Sequence, residues 1–480
     1  PPGVTEMASR RELTRLIDRG PSGPKIGAFF DVDRTLLAGF SAMAFMRDKF
    51  STEGIDIGKT ITSLGGAFRF GMNQSSFPTF LEESSGDLVG LTEEELSAVG
   101  ERVFNQRLVT DIYPESRALV EAHQRRGHTV AIISSATHFQ IDDLARELGI
   151  EHVLCTELEF VNGKFTGNVV RPACFREGKA KAGRDLAEEF DLDLHQSYFY
   201  TDSRDDLPLL DIVGNPRLVN PDSELSQIGS RNGWPVYRFR SRGRPSWREI
   251  AGLAASMTAL GPAAMIGVPA AIASGNLRRG MDMMMSTYAD LSNALTGVEV
   301  QVEGEAHLWS HRPAVFIFNH QSGLDALLMA RLLRRDVVGV AKQELKDTPI
   351  LGQMMQLAGT VFVERGDKEK AVESLQSAED AVRQGLSIVI APEGTRSATK
   401  RLGPFKKGAF RMAMATGVPI VPVVLKNALD ALPRHGLVVR AATVEVVVMP
   451  PIPTDDWTLE NLNDRIAEIH ARYRKILSDD

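Results

Sequence analysis

Short apolar runs alternate with helical patterns over most of the chain. The first, IGAFFDVD from Ile26, ends in acids. HTVAIISSA from His128 and HQSYFYTDS from His195 have the same form. Runs of this length that end in polar turns predict buried parallel strands with helices on both faces. A long, mostly helical insert from about Phe40 to Val109 separates the first two runs. Asn162-Gly163, set between LEFV and KFTG, predicts a tight hairpin.

A second alternating pattern starts near residue 291. VEVQV, AVFIF, VVGVA, GTVFV, LSIVIA, IVPVVL and TVEVVVM read as strands. Ala371, Leu375, Ala378 and Val382 form the apolar stripe of one helix, and Leu459 to Leu477 predicts a final amphipathic helix. The expected class is α/β with two domains. Residues 1–25 read as a polar leader and 26–240 as the first domain, with a helical cap at about 40–109. Residues 291–480 read as the second.

Between the two lie residues 241–290. Arg238, Arg240, Arg242, Arg244 and Arg248 surround Pro245 and mark a basic linker. The stretch from Ala251 to Asn276 then carries no charge. It is long enough to span a bilayer, yet it is rich in Ala and Gly and holds Pro262 and Pro269. It predicts a helical hairpin at Ala251–Ala273, buried or lying on a membrane surface, rather than a spanning helix. The arginines before it suit anionic headgroups.

Composition narrows the classes. A net charge of -7 over 480 residues argues against nucleic-acid binding. Two cysteines, Cys155 and Cys174, make a disulfide framework unexpected and fit a reducing cytoplasm. No secretory signal is visible, and the first residue, Pro1, suggests that the sequence begins inside a longer chain. The oligomeric state is not encoded in any of these patterns.

Two constellations carry chemistry. In the first, Asp31 and Asp33 sit where the first strand exits, the usual ligand crevice of a parallel sheet. One carboxylate can attack phosphorus while the other protonates the leaving oxygen. Ser134 and Ser135 end the next strand, Lys179 opens a helical pattern, and Asp202 ends the third strand, with Asp205 and Asp206 beyond it. Each residue alone reads as structural; the ordered set reads as a site. The set resembles the haloacid dehalogenase superfamily, in its phosphoserine-phosphatase-like branch, over about Ile26 to Phe239. The resemblance implies Asp31 as nucleophile and Asp33 as acid and base. It implies Ser134 and Ser135 at the phosphate and Lys179 stabilising it. It also implies Mg²⁺ held by Asp31, Asp202 and the Asp33 carbonyl, with Asp206 supporting Lys179 or the metal shell. The apolar AGFSAMAFM after Leu37 favours a greasier phosphate ester than phosphoserine.

In the second constellation, Asn319-His320-Gln321-Ser322-Gly323-Leu324-Asp325 follows AVFIF. An aspartate can fix the histidine tautomer, and the histidine can then take a proton from an alcohol. The spacing alone is weak: roughly half a match is expected by chance in a chain of this composition. His138 and Asp143 repeat it and read as a helix-capping decoy. Three further blocks follow: GTVFVER to Arg365, Glu393-Gly394-Thr395-Arg396, and VPIVPV, with Lys406, Lys407 and Arg411 in FKKGAFR. Two guanidinium groups near His320 would clamp a phosphate. The blocks resemble the glycerophospholipid acyltransferase family over about Leu291 to Asp480. The resemblance implies His320 as general base and Asp325 as its orienter. It implies Arg365, Glu393, Gly394, Thr395 and Arg396 at the acceptor phosphate. The substrates implied are acyl-CoA or acyl carrier protein and a lysophospholipid, 1-acylglycerol 3-phosphate foremost, at the cytoplasmic face of a membrane. Two other readings stay open on the residues: a phosphate-binding regulatory module with little turnover, and a phosphoserine phosphatase with an inert partner.

Overall fold

The computed structural model describes residues 5–6, 10–45, 88–347, 351–363, 368–397, 399–434 and 436–478. The chain divides into two compact units, Pro1–Arg244 and Pro245–Asp480.

The first unit is built on a seven-stranded sheet. Its strands are β1 (Thr5–Glu6), β2 (Gly27–Phe30), β3 (Thr129–Thr137), β4 (His152–Thr156), β7 (Tyr198–Thr201), β8 (Asn215–Val219) and β9 (Val236–Arg238). Their order is β1-β9-β8-β7-β2-β3-β4, and all the pairings are parallel. The inner strand β2 is buried on both faces, which is why it reads as an unbroken apolar run. Phe30 at its end stacks on Tyr200 of β7, with ring centroids 4.6 Å apart. A separate hairpin pairs β5 (Leu158–Val161) with β6 (Lys164–Val169). Its turn residues Asn162 and Gly163 both have positive φ, 52° and 74°, as a tight hairpin turn needs.

Part of the expected helical insert is described. The helix Glu93–Gln106 opens on a capping box in which Thr92 and Glu95 satisfy each other's backbone N–H groups. Residues 46–87, including Met46 at the end of the apolar stretch after Leu37, lie outside the described residues.

The second unit also has a seven-stranded sheet. Its strands are β10 (Val298–Glu303), β11 (Val315–Phe318), β12 (Val337–Lys342), β13 (Val361–Val363), β14 (Ser387–Ile390), β15 (Ile420–Leu425) and β16 (Ala442–Val448). The order is β10-β16-β15-β11-β14-β12-β13. Only the β15–β16 pairing is antiparallel. The helix Leu462–Ser478 closes one face. Its Tyr473 is fully buried, and its hydroxyl donates to Ile317 O on β11 at 2.8 Å. The same oxygen accepts from Val423 N on β15 at 3.1 Å, so one phenol bridges the two strands behind Asn319 and His320.

The apolar stretch departs from expectation. Helices Trp247–Thr258 and Leu260–Ser274 follow each other without a reversal, because the Ala259 backbone between them is itself right-handed helical. Hydrogen bonds run through the junction, from Ala259 N to Ala255 O and from Ala263 N to Ala259 O. Pro262 lies in the first turn of its helix, where no intrahelical N–H is needed. The reversal comes instead at Gly275, in the left-handed conformation, and the helix Leu277–Thr296 runs back. The hairpin is therefore 247–274 against 277–296, not within 251–273. Its inner seam is small: Ser256, Ala259, Ala263 and Gly267 are buried. A Cβ on Gly267 would sit 2.5 Å from Gly280 O, so only glycine permits that approach. Ser256 and Ser292 meet across the seam at 2.8 Å. The opposite stripe, Trp247, Ile250, Met257, Met265, Val268 and Ile272, recurs at helical spacing and is exposed throughout.

Candidate functional sites

In the first unit, β2 and β7 are neighbours, so their carboxyl ends place Asp31 beside Asp202. Asp31 N donates to Tyr200 O at 2.9 Å, which continues the ladder one residue past the strand. Lys179, on the helix Glu177–Glu189, is buried. Its ammonium donates to Asp31 Oδ1 at 2.8 Å and to Asp206 Oδ2 at 2.9 Å. Thr201 Oγ1 donates to the same Asp206 oxygen at 2.5 Å. Burial works against the Lys179 charge, but the Asp206 and Asp31 carboxylates outweigh it and hold the ammonium protonated well above the lysine range.

The remaining carboxyls respond to enclosure. Desolvation pushes Asp33 up to about 7, against the Ser41 N–H that donates to its Oδ1 at 2.7 Å. Desolvation likewise raises Asp202 well above the carboxylate range, opposed by the Arg34 guanidinium. Asp31 and Asp33 thus sit together in unlike environments, one locked on an ammonium and one able to carry a proton near neutrality. Ser134 is buried within β3, which runs on to Thr137 rather than ending at the serines. The β3–β4 register breaks between Ile133 and Thr137, so Ser134 and Ser135 occupy an irregular stretch beside the site. Ser134 Oγ accepts from Ala136 N at 3.2 Å.

The donor set suits a divalent hard cation. Asp31, Asp33, Asp202 and Asp206 face one buried ammonium and one partly exposed guanidinium, an excess of oxygen donors and negative charge. Among the described residues, no three His, Cys, Asp or Glu side chains converge on one cation position. A set of two carboxylates and the Asp33 carbonyl, completed by water, is compatible with that.

In the second unit, β11 delivers Asn319 and His320 to the sheet's rim. Asn319 is fixed to β15: its Nδ2 donates to Leu425 O at 2.9 Å and its Oδ1 accepts from Leu425 N at 2.7 Å. His320 Nδ1 meets Asp325 Oδ2 at 2.8 Å. That oxygen also accepts from Gln321 N at 2.8 Å and Ser322 N at 2.9 Å, which holds the carboxylate at the first turn of the helix Asp325–Leu333. Asp325 is fully buried, whereas the His320 side chain keeps 29% of its surface exposed. With Nδ1–H donating to Asp325, the His320 ring turns Nε2 outward as its acceptor nitrogen.

Glu393 has a structural part in the site. It is buried, and both carboxylate oxygens accept backbone N–H groups: His320 N at 2.7 Å and Gly403 N at 2.8 Å. It braces the histidine backbone. Burial pushes its carboxyl up, and the two amides oppose that. Ser397 N donates to His320 O at 2.7 Å, so the turn after β14 clasps His320 from both sides. Glu393→Gln leaves one amide facing an NH₂ group. It is expected to destabilise the second unit by about 1–3 kcal/mol, read from its denaturant midpoint.

Arg396 reaches the same turn: its Nη1 lies 3.5 Å from where a Cβ on Gly323 would stand. Gly394 has φ 75°, and a Cβ there would meet Lys406 Nζ at 2.9 Å. Lys406 therefore joins the Glu393–Arg396 turn; its sequence context in FKKG does not distinguish it from Lys407. Thr395 lies within the turn, while Arg365 lies outside the described residues. The decoy is not a site, nor is it the cap expected of it. His138 Nδ1 pairs with Asp142 at 2.9 Å, Asp143 pairs with Arg146, and Thr137 and Gln140 form the cap. His123 and His128, in contact at 2.8 Å, are buried beneath the first sheet with Tyr200 and belong to its core.

Comparison with known proteins follows the same division. A family model for haloacid dehalogenase-like hydrolases matches residues 28–211, and one for acyltransferases matches 299–426. The chain is 30% identical over 254 residues to a probable phosphatase of Mycobacterium tuberculosis, covering 52% of this chain and 87% of that protein. It is 36% identical over 180 residues to a 1-acyl-sn-glycerol-3-phosphate acyltransferase of Limnanthes alba, covering 37% of this chain. The chain spans 63% of the length of that plant relative. The crystal structure of the 1-acyl-sn-glycerophosphate acyltransferase of Thermotoga maritima aligns at a TM-score of 0.40 and 22% identity, over 48% of this chain and 98% of that one. Both sheets, their motifs and these relatives agree: the chain belongs to the haloacid dehalogenase-like hydrolases and carries, in its second unit, a domain of the acyltransferase family.

Proposed function

We propose that the chain is a bifunctional lipid enzyme. Its second unit transfers an acyl group from acyl-CoA to 1-acylglycerol 3-phosphate, giving phosphatidate. Its first unit hydrolyses a phosphate monoester, in a Mg²⁺-dependent reaction, on a lipid substrate. The observation that carries the first half is the His320–Asp325 pair at 2.8 Å with its basic nitrogen free and Arg396 beside the same turn.

For acyl transfer, His320 Nε2 accepts the proton of the acceptor hydroxyl as its oxygen bonds to the thioester carbonyl. Asp325 stabilises the imidazolium by accepting the Nδ1 proton in a hydrogen bond. When the carbon–sulfur bond breaks, His320 returns the proton to the departing thiolate. Arg396 and Lys406, with Arg365, supply the positive charge that holds the acceptor phosphate.

For phosphate release, an Asp31 oxygen forms a bond to phosphorus, and Asp33 donates its proton to the departing alcohol oxygen. Asp33 then takes a proton from water, whose oxygen cleaves the aspartyl-phosphate. Lys179 offsets charge on the phosphoryl group. Asp31, Asp202 and the Asp33 carbonyl would hold Mg²⁺, which supplies further charge neutralisation there. The apolar residues after Leu37 support a lipid phosphate as substrate.

The exposed stripe from Trp247 to Ile272 supports attachment to the cytoplasmic face of a membrane, where acyl-CoA is available. The helix Trp247–Ser274 is also long and apolar enough to cross one. Placing Glu at both Met265 and Ile272 is expected to lower co-sedimentation with phosphatidylglycerol vesicles about 10-fold or more, since each large apolar side chain contributes about 1.5–3 kcal/mol on burial. Binding equal to that of the unaltered chain would reject this surface. The function as a whole is tested by incubating purified protein with acyl-CoA and a panel of lysophospholipids, then identifying the lipids by mass spectrometry. No acylated product from any acceptor ends the acyltransferase reading.

A further inference from the structure

Arg34 stands between the second catalytic-site aspartate and Thr35, and its backbone is left-handed, with φ 58°. That conformation suits glycine and strains an arginine. Strain of this kind persists where the surroundings enforce it, and it clusters at functional sites. Arg34 N donates to Gly39 O at 3.2 Å, and Asn220 holds the residue from the other side. Asn220 Nδ2 donates to Arg34 O at 3.4 Å, and Arg34 Nη2 donates to Asn220 O at 3.3 Å.

The consequence is the aim of the guanidinium. Arg34 Nη1 lies 3.1 Å from Asp202 Oδ2. The Asp202 side chain is 9% exposed and the Arg34 side chain 40%, so the positive charge reaches a buried carboxylate from the solvent side. Asp202 is the carboxylate placed beside Asp31 by the sheet order. Lys179 is committed to Asp31 and Asp206, which leaves Arg34 as the cation that the structure shows on Asp202.

We propose that Arg34 is a displaceable counter-ion: its guanidinium holds Asp202 while the divalent cation is away, competes with that cation for the carboxylate, and on displacement turns to the phosphoryl oxygens of the substrate. The inference rests on the reading of Asp31 and Asp202 as Mg²⁺ ligands. Two positive groups on one carboxylate repel at short range, so metal entry weakens the Arg34 contact and the reverse also holds. A guanidinium half in solvent has room to move, and its planar fork matches phosphate oxygens. Arg34 is thus a rival of the metal for Asp202 and a ligand for the substrate in turn.

The test is titration calorimetry on the full chain, with MgCl₂ and then with inorganic phosphate at saturating Mg²⁺. Arg34→Gly relieves the strained turn, and Arg34→Gln keeps a shorter polar side chain without charge. Both are expected to bind Mg²⁺ about 3- to 5-fold more tightly than the unaltered chain, the size of one partly exposed ion pair. Both are expected to bind phosphate about 10-fold more weakly, for loss of a charge-assisted donor. Mg²⁺ affinity unchanged within twofold in both variants, while Asp202→Asn abolishes it, overturns the inference and spares the metal reading. Absence of Mg²⁺ binding in the unaltered chain and both variants overturns the metal reading and this inference with it.

Discussion

His320→Ala is expected to lower acyl transfer by about 10²–10⁴-fold, a barrier increase of about 3–5 kcal/mol, and to leave phosphate release unchanged. Several features make the result interpretable. The ring keeps 29% of its surface exposed, so the space it leaves is open to solvent on one side. Asp325 keeps its bonds from Gln321 N and Ser322 N, so the turn stays formed without the imidazole. The backbone clasp on residue 320, from Glu393 and Ser397, involves main-chain groups that alanine retains. The loss is then one of proton transfer rather than of fold. The check is acyl-CoA consumption beside phosphate release on the same preparation. Loss of both activities would point to one composite site instead of two.

Asp31→Asn is expected to have the converse effect: phosphate release falls about 10³-fold or more, and acyl transfer persists. An amide oxygen is a poor nucleophile toward phosphorus, and without the aspartyl-phosphate the two-step route is closed. The fold survives for a specific reason. Asn retains an acceptor oxygen for Lys179, and Lys179 keeps its charge partner in Asp206. Assay of phosphate release from lysophosphatidate and from an aryl phosphate measures the effect. Release from lysophosphatidate that does not depend on Asp31 would remove the lipid-phosphatase assignment.

The strands that carry both sites were legible because each is a short apolar run closed by a polar turn, and burial on both faces makes such runs continuous. Asn162-Gly163 was legible because a two-residue hairpin turn needs positive φ at both positions. The order of strands in each sheet was not, since pairing of β2 with β7 is a long-range choice that no local pattern encodes. The place of the reversal was not legible in the apolar stretch, because neither proline marks it. Pro262 lies in a first turn, and the left-handed residue Gly275 makes the actual turn. The bracing bonds of Glu393 were not legible, because an acid beside Gly, Thr and Arg reads as part of a ligand site. That it faces two backbone amides is visible only when β11 and β14 are neighbours. Arg34 went unnoticed because a strained φ leaves no mark in the sequence.

The phenol of Tyr473 has a bearing on the order of synthesis. The first unit has all its strands once residue 238 has been made. The second does not reach that point so early: the two strands nearest its histidine are tied together by a hydroxyl that emerges from the ribosome some fifty residues after Val423. During translation one unit is therefore able to close while its neighbour still waits for the last helix, and premature termination there would leave a phosphatase fold attached to an unsealed sheet.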